Sequence, residues 1–156
     1  MLTLRGAELL RRADVVVYDS LVNRELLALA PEAAEIIFGG KRPRNRAIPQ
    51  EELNQLLAEK AKAGKTVVRL KGGDPYIFGR GGEEAAKLHR DGVPFEVVPG
   101  ISSIIAAPSY AGIPLTHREH CSSFTVITGH EDPDKDESAL DWKRVAREPG
   151  TKVLLM

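Results

Sequence analysis

The feature that most constrains how this chain folds is the run VVRLKGGDPYIFGRGGEE at residues 67–84. An apolar, β-branched stretch over residues 66–70 ends in Gly72-Gly73. An Asp74-Pro75 step, Tyr76-Ile77-Phe78 and Gly79-Arg80-Gly81-Gly82 then precede a helical pattern. Strand, glycine loop and helix form the unit from which parallel sheets are wound, because parallel neighbours need a crossover that no tight hairpin supplies. Glycine permits positive φ and close approach of the backbone to a ligand. Ligands of open α/β sheets lie beyond the carboxyl ends of the strands, so the loop after Leu70 is expected to bind something.

The same alternation continues along the chain. Leu2, Leu9, Leu10 and Ala13 suit a short amphipathic helix over residues 2–12, and Val15-Val16-Val17-Tyr18 reads as a buried strand stopped by Asp19-Ser20. Asn23 is placed to cap a helix ended by Pro31. A second strand is expected at 35–38, followed by Gly39-Gly40. Ile48-Pro49 opens a helix with Leu53, Leu56, Leu57 and Ala61 at helical spacing, ended by Gly64. Beyond the third strand at 66–70, the pattern predicts a helix over 83–91, a fourth strand over 94–98 and a helix beginning at Ile101. It also predicts a fifth strand over 123–128, a helix over 139–146 and a sixth strand over 151–156. These elements imply an α/β fold, read as a single domain: a mostly parallel sheet flanked by helices on both faces. The strand exits at Asp19, Gly39, Gly72, Pro99, Gly129 and Met156 would share one edge, where a cleft is the expected site.

Composition narrows the partners. Lys+Arg and Asp+Glu both number 22, so the overall charge points neither to nucleic acid nor to a membrane surface. No stretch approaches the roughly 18 uncharged apolar residues of a spanning helix. Charges scattered from the first residues onward argue against a signal peptide. The single cysteine, Cys121, excludes an internal disulfide and suits a reducing cytoplasm. The acidic stretch 131–138 lacks calcium-loop spacing, and neither His117 nor His130 has a partner at metal-ligand spacing, so no metal is expected. No Gly-x-Gly-x-x-Gly joins a strand to a helix, which disfavours a dinucleotide-binding dehydrogenase. Lys41, Arg42, Arg44 and Arg46 beside a glycine turn can grip a polyanion or form a solvated loop.

Val67 through Leu70, Gly73-Asp74, Phe78-Gly79, Leu88 and Phe95-Glu96-Val97-Val98-Pro99-Gly100 resemble the long central motif of the tetrapyrrole methylase family, which uses S-adenosyl-L-methionine. The segment from Val16 to Val22, Gly40-Lys41-Arg42, the segment from Pro114 to Arg118 and Val126-Ile127-Thr128-Gly129-His130 resemble that family in order and context. At the ends, Leu2-Thr3-Leu4-Arg5-Gly6 resembles the tail of a first motif whose strand and Gly-Pro-Gly loop are expected upstream. Val153-Leu154-Leu155-Met156 resembles the last strand of a domain after which a second α/β domain is expected.

Transfer of a methyl group from a sulfonium to carbon releases a neutral thioether, so positioning should dominate catalysis. The resemblance implies that the backbone around Gly72, Gly73, Asp74 and Ile77 contacts the cofactor, with Phe78 as an apolar wall or a plain core anchor. Ser102 and Ser103 would bind its polar end or simply cap a helix, and the Met156 backbone would also meet it. The implied acceptor is a carboxylate-rich reduced tetrapyrrole methylated at two ring carbons. Asp19 takes the place of the proton acceptor, or is a turn aspartate, and Lys41 that of the proton donor. Arg42, Arg80 and Arg118 are candidates for the acceptor's carboxylates, or for surface pairing. The activity implied is methylation of uroporphyrinogen III to precorrin-2 for siroheme and cobalamin, releasing S-adenosyl-L-homocysteine, in a cytoplasmic homodimer. A later corrin-ring methyltransferase and an inactive binding or structural fragment are the alternatives; Asp19 with Gly40-Lys41-Arg42 favours the first.

Overall fold

The computed structural model describes residues 1–40, 48–129, 138 and 140–155, which fall into two compact units, Met1–Ser102 and Ser103–Met156. Where the alternation suggests one sheet, the described residues form a three-stranded sheet in the first unit and a two-stranded sheet in the second. Both are parallel.

The first unit contains α1 (Leu4–Leu10), β1 (Val15–Tyr18), a 3-10 helix (Arg24–Leu29), β2 (Glu35–Phe38), α2 (Gln50–Lys62), β3 (Val67–Leu70) and α3 (Gly81–Arg90). The strands lie in the order β2-β1-β3, with Val15 opposite both Glu35 and Val67. β1 is central because it is apolar at successive positions, and successive side chains of a strand enter opposite faces. Val16 packs with Leu10, Ala13, Val22 and Leu70 on one face. Val15 and Val17 pack with Leu53 and Leu57 of α2 on the other.

Local hydrogen bonds set the element ends. The Thr3 hydroxyl accepts from Gly6 N at 3.1 Å and opens α1. The Asp14 carboxylate accepts from Thr66 N at 2.7 Å and fixes the entry to β3 beside β1. The helix expected after Asn23 is a 3-10 turn. Asn23 caps it, accepting from Glu25 N at 3.0 Å, but Ala30 is extended, as a residue before proline prefers. Little room remains for wider winding.

The fourth strand expected at 94–98 forms no ladder. β3 pairs with β1, while a cavity of about 580 Å³ is lined by all four residues of β3, by residues 93–101 and by Leu9 and Leu10 of α1. A strand requires a neighbouring backbone, and this segment borders the cavity instead.

The second unit holds α4 (Ser103–Tyr110), β4 (Phe124–Thr128), α5 (Trp142–Arg147) and β5 (Thr151–Leu155). β4 and β5 pair from Phe124 opposite Thr151 to Thr128 opposite Leu155. The Cys121 thiol donates to Ser123 O at 2.8 Å and accepts from Thr151 N at 3.3 Å, joining the approaches to the two strands. Hydrogen bonding to Thr151 holds its pKa below the ordinary thiol value. The acidic stretch 131–138 lies outside the described residues apart from Ser138.

Leu10→Ala removes a side chain with no exposed surface and should cost about 2–5 kcal/mol in urea unfolding. Leu4→Ala, at a residue 92% exposed, should change stability by less than about 0.5 kcal/mol; equal costs would contradict the core assignment. Asp91 ties α2 to α3, receiving Lys62 at 2.8 Å and Lys87 at 2.7 Å, and these bonds lower its pKa to about 2. A carboxyl depressed in the folded state contributes stability above its unfolded pKa of about 4, and that contribution is lost as pH falls toward the folded value. Asp91→Asn should therefore flatten the acid loss of stability in that window, as measured by urea titration.

Candidate functional site

The loop leaving β3 is held by one carboxylate. Asp74 Oδ1 accepts from Tyr76 N at 2.9 Å, and its Oδ2 accepts from Gly100 N at 2.9 Å, so two separate loops close on one side chain. Their approach is too close for larger residues. A Cβ on Gly100 would lie 2.0 Å from Gly73 O, and one on Gly81 would lie 2.4 Å from Pro75 O. Gly73 has φ of 68°, while Phe78 and Arg80 hold the left-handed region at 51° and 57° without being glycine, which costs about 1–2 kcal/mol each.

The cavity beside β3 reaches Gly72, Gly73, Pro75 and Tyr76 on one loop and Pro99, Gly100 and Ile101 on the other. Its volume of about 580 Å³ is that of a small-molecule pocket. The glycine backbone leaves no side chain between the loop and this space, which suits a nucleoside-sized ligand. Ser102 is buried, with its Cα 3.7 Å from where a Cβ on Gly73 would stand.

A buried charge network adjoins the loop. Arg69 NH2 lies 3.3 Å from Asp19 Oδ2, its Nε donates to Glu84 Oε1 at 3.1 Å, and its NH1 donates to the carbonyls of Val17 and Leu70 at 3.3 and 3.2 Å. The same Glu84 oxygen receives Lys71 at 3.2 Å and Gln50 at 3.4 Å. Glu84 is only 5% exposed. Burial, then the nearby Arg69 charge, push the Lys71 pKa down, against the opposing pull of Glu84. Two cations and two anions balance, as burial of charge requires.

Asp19 stands at the exit of β1, half-buried, and its other oxygen accepts from Leu21 N at 3.0 Å. It is thus both a turn residue and a member of the charge network. Phe78 is 55% exposed, so it is no core anchor; Ile77 is exposed as well. Arg80 forms a bidentate pair with Glu83 at 2.8 and 2.7 Å, which raises its pKa. Ser103 opens α4 in the second unit and is exposed, as is Arg118 in the turn between His117 and Cys121. Lys41, Arg42, Arg44, Arg46, His130 and Met156 lie outside the described residues.

Two groupings escaped the sequence reading. The pairing of Arg69 and Lys71 with Glu84 was signalled only by cations in and just after an apolar strand. In the second unit, His117, Glu119 and His120 bring potential ligand atoms within 4.8 Å of one another, with the two rings stacked at 4.5 Å. The His-x-Glu-His spacing was the available signal, and comparing His117 with His130 missed it.

Gly100→Ala should cost about 1–3 kcal/mol or more through the forced collision, while Gly82→Ala, with nothing within 4 Å of its added carbon, should be neutral or stabilising. Denaturant unfolding of both variants checks this, and an unperturbed Gly100→Ala protein would contradict the loop packing.

The family model described as Tetrapyrrole (Corrin/Porphyrin) Methylases matches residues 1–156. The chain is 55% identical over its whole length to an S-adenosyl-L-methionine-dependent uroporphyrinogen III methyltransferase of Methanosarcina barkeri, covering 61% of that protein. It is 52% identical, again over its whole length, to a uroporphyrinogen-III C-methyltransferase of Methanocaldococcus jannaschii, covering 64% of it. It therefore spans somewhat under two thirds of these relatives. Among solved structures, the uroporphyrin-III C-methyltransferase of Thermus thermophilus complexed with S-adenyl homocysteine aligns with a TM-score of 0.67 at 48% identity. That alignment covers 82% of this chain and 52% of the other. With a family match along its full length and a parallel α/β architecture, the chain belongs to the tetrapyrrole (corrin/porphyrin) methylases.

Proposed function

We propose that the protein of which this chain is part transfers methyl groups from S-adenosyl-L-methionine to two ring carbons of uroporphyrinogen III, giving precorrin-2 for siroheme and cobalamin, and releases S-adenosyl-L-homocysteine. The observation that carries this reading is the paired loop, closed by Asp74 and open to the cavity through Gly72 and Gly73. It is supported by likeness to a structure complexed with the demethylated donor and to relatives named for this activity.

The cofactor supplies an activated methyl group when bound. The chain's residues supply placement and proton handling. The backbone at Gly72, Gly73, Asp74 and Ile77 offers polar groups without side-chain obstruction, Phe78 and Tyr76 offer apolar surface, Ser102 and Ser103 serve the donor's polar end, and the Met156 backbone meets the donor. Methylation of a ring carbon displaces a proton, and Asp19 accepts it as a carboxylate that Arg69 holds in place. Lys41 acts as proton donor, and Arg42 and Arg118 bind acceptor carboxylates. Arg80 joins them by exchanging Glu83 for the substrate.

The same reading places the protein in the cytoplasm as a homodimer. A single cysteine suits that compartment. Among the described residues no helix is long and apolar enough to cross a membrane. Ile36 on the outer strand β2 leaves an apolar edge for association.

Incubation of the full-length protein with labelled donor and uroporphyrinogen III should give dimethylated product. Asp19→Asn should reduce kcat by about 10²–10⁴-fold with little change in S-adenosyl-L-homocysteine affinity by calorimetry. No product from the unaltered protein would sink the assignment, and label entering only a later corrin precursor would assign the sibling activity instead.

A further inference from the structure

We infer that Glu84 is a positioning residue for the proton-handling carboxylate: through one guanidinium it fixes where Arg69 meets Asp19. The inference rests on the reading of Asp19 given above, but its geometry stands separately. Arg69 lies on β3 directly opposite Val17, and its side chain must cross toward the exit of β1 to reach Asp19. Its three nitrogens are distributed without overlap: Nε to Glu84, NH1 to the carbonyls of Val17 and Leu70, and NH2 to Asp19. A planar fork held at Nε and NH1 has no remaining freedom to turn NH2 away. Glu84 supplies the Nε contact, and it is itself fixed in the first turn of α3, where a carboxylate is favoured by the helix dipole. Lys71 and Gln50 share its Oε1 and prevent it from swinging out. Glu84 has no hydrogen bond to Asp19 in the described network, so its influence on that carboxylate passes through Arg69.

Releasing Arg69 from Glu84 frees NH2 to leave Asp19, so the effect on that carboxylate is one of placement. Among the described residues, the charged groups to consider around Asp19 are Arg69 and Lys71 from β3 and its exit and Glu84 from α3.

The test is a comparison of kcat and KM in the full-length protein, with S-adenosyl-L-homocysteine affinity measured beside them by calorimetry. Glu84→Ala is expected to lower kcat about tenfold with KM and that affinity unchanged, as is Arg69→Met, and combining them should lower kcat no further. Glu84→Gln keeps an oxygen for the Nε–H and should keep kcat within about twofold of its original value. Should Glu84→Ala fail to fold because Lys71 is left buried and unpaired, the charge-balanced Lys71→Met/Glu84→Ala protein provides the same readout, again with a loss of kcat expected. An unchanged kcat in the Ala variants, or an equal loss in Glu84→Gln, overturns the inference. The unaltered protein is assayed first, so its failure to methylate uroporphyrinogen III is distinct from a loss that does not appear in the variants.

Discussion

Burial of charge is the constraint around which the first unit is arranged. Glu84 collects Arg69, Lys71 and Gln50 on one oxygen, and each of these comes from a different stretch: β3, its exit loop and α2. Removal of one partner would leave an unsatisfied charge inside the protein, which costs far more than an exposed pair contributes. The network therefore fixes α2 and α3 against the β3 exit with a specificity that apolar packing alone does not have. The exposed pair of Arg80 with Glu83 resembles it chemically but carries no comparable weight, since solvent screens it.

This polar arrangement is tolerable because the strand beside it is fully covered. Val15, Val16 and Val17 have almost no exposed surface and divide between two separate cores. That division packs β1 on both faces, and Asp19 stands at the exit of this doubly packed strand. Elsewhere the covering of β3 is incomplete: the cavity is lined by β3 together with residues 93–101. The site thus combines a firm side built from the sheet with an open side built from loops.

What the sequence revealed depends on the range of the forces involved. Strands such as Val15–Tyr18 and Glu35–Phe38 were legible to the residue, because β-branched runs bounded by turn residues are local signals. Gly72-Gly73-Asp74 was legible as a strand-exit loop for the same reason. Residues 94–98 carry the same local signal but make no ladder, since strand pairing is decided by a neighbour that local composition does not describe. Arg69 and Glu84 are separated by 15 residues and Arg69 and Asp19 by 50, so their pairing exists only once β1, β3 and α3 are assembled. The extra histidine at position 120 was hidden differently: its partner is close in sequence, but the stacking of His117 on His120 depends on the turn that brings them together.

Asp74 has a consequence for motion. Its two oxygens hold amides 24 residues apart, at Tyr76 and Gly100, without any mobile side chain intervening on the receiving side. Neither loop can open locally while the other stays closed and both bonds persist, so the flexibility of this wall belongs to the pair as one cooperative unit. The motion of this wall is then set by how often a single carboxylate lets go, rather than by the separate stiffness of two glycine-rich segments.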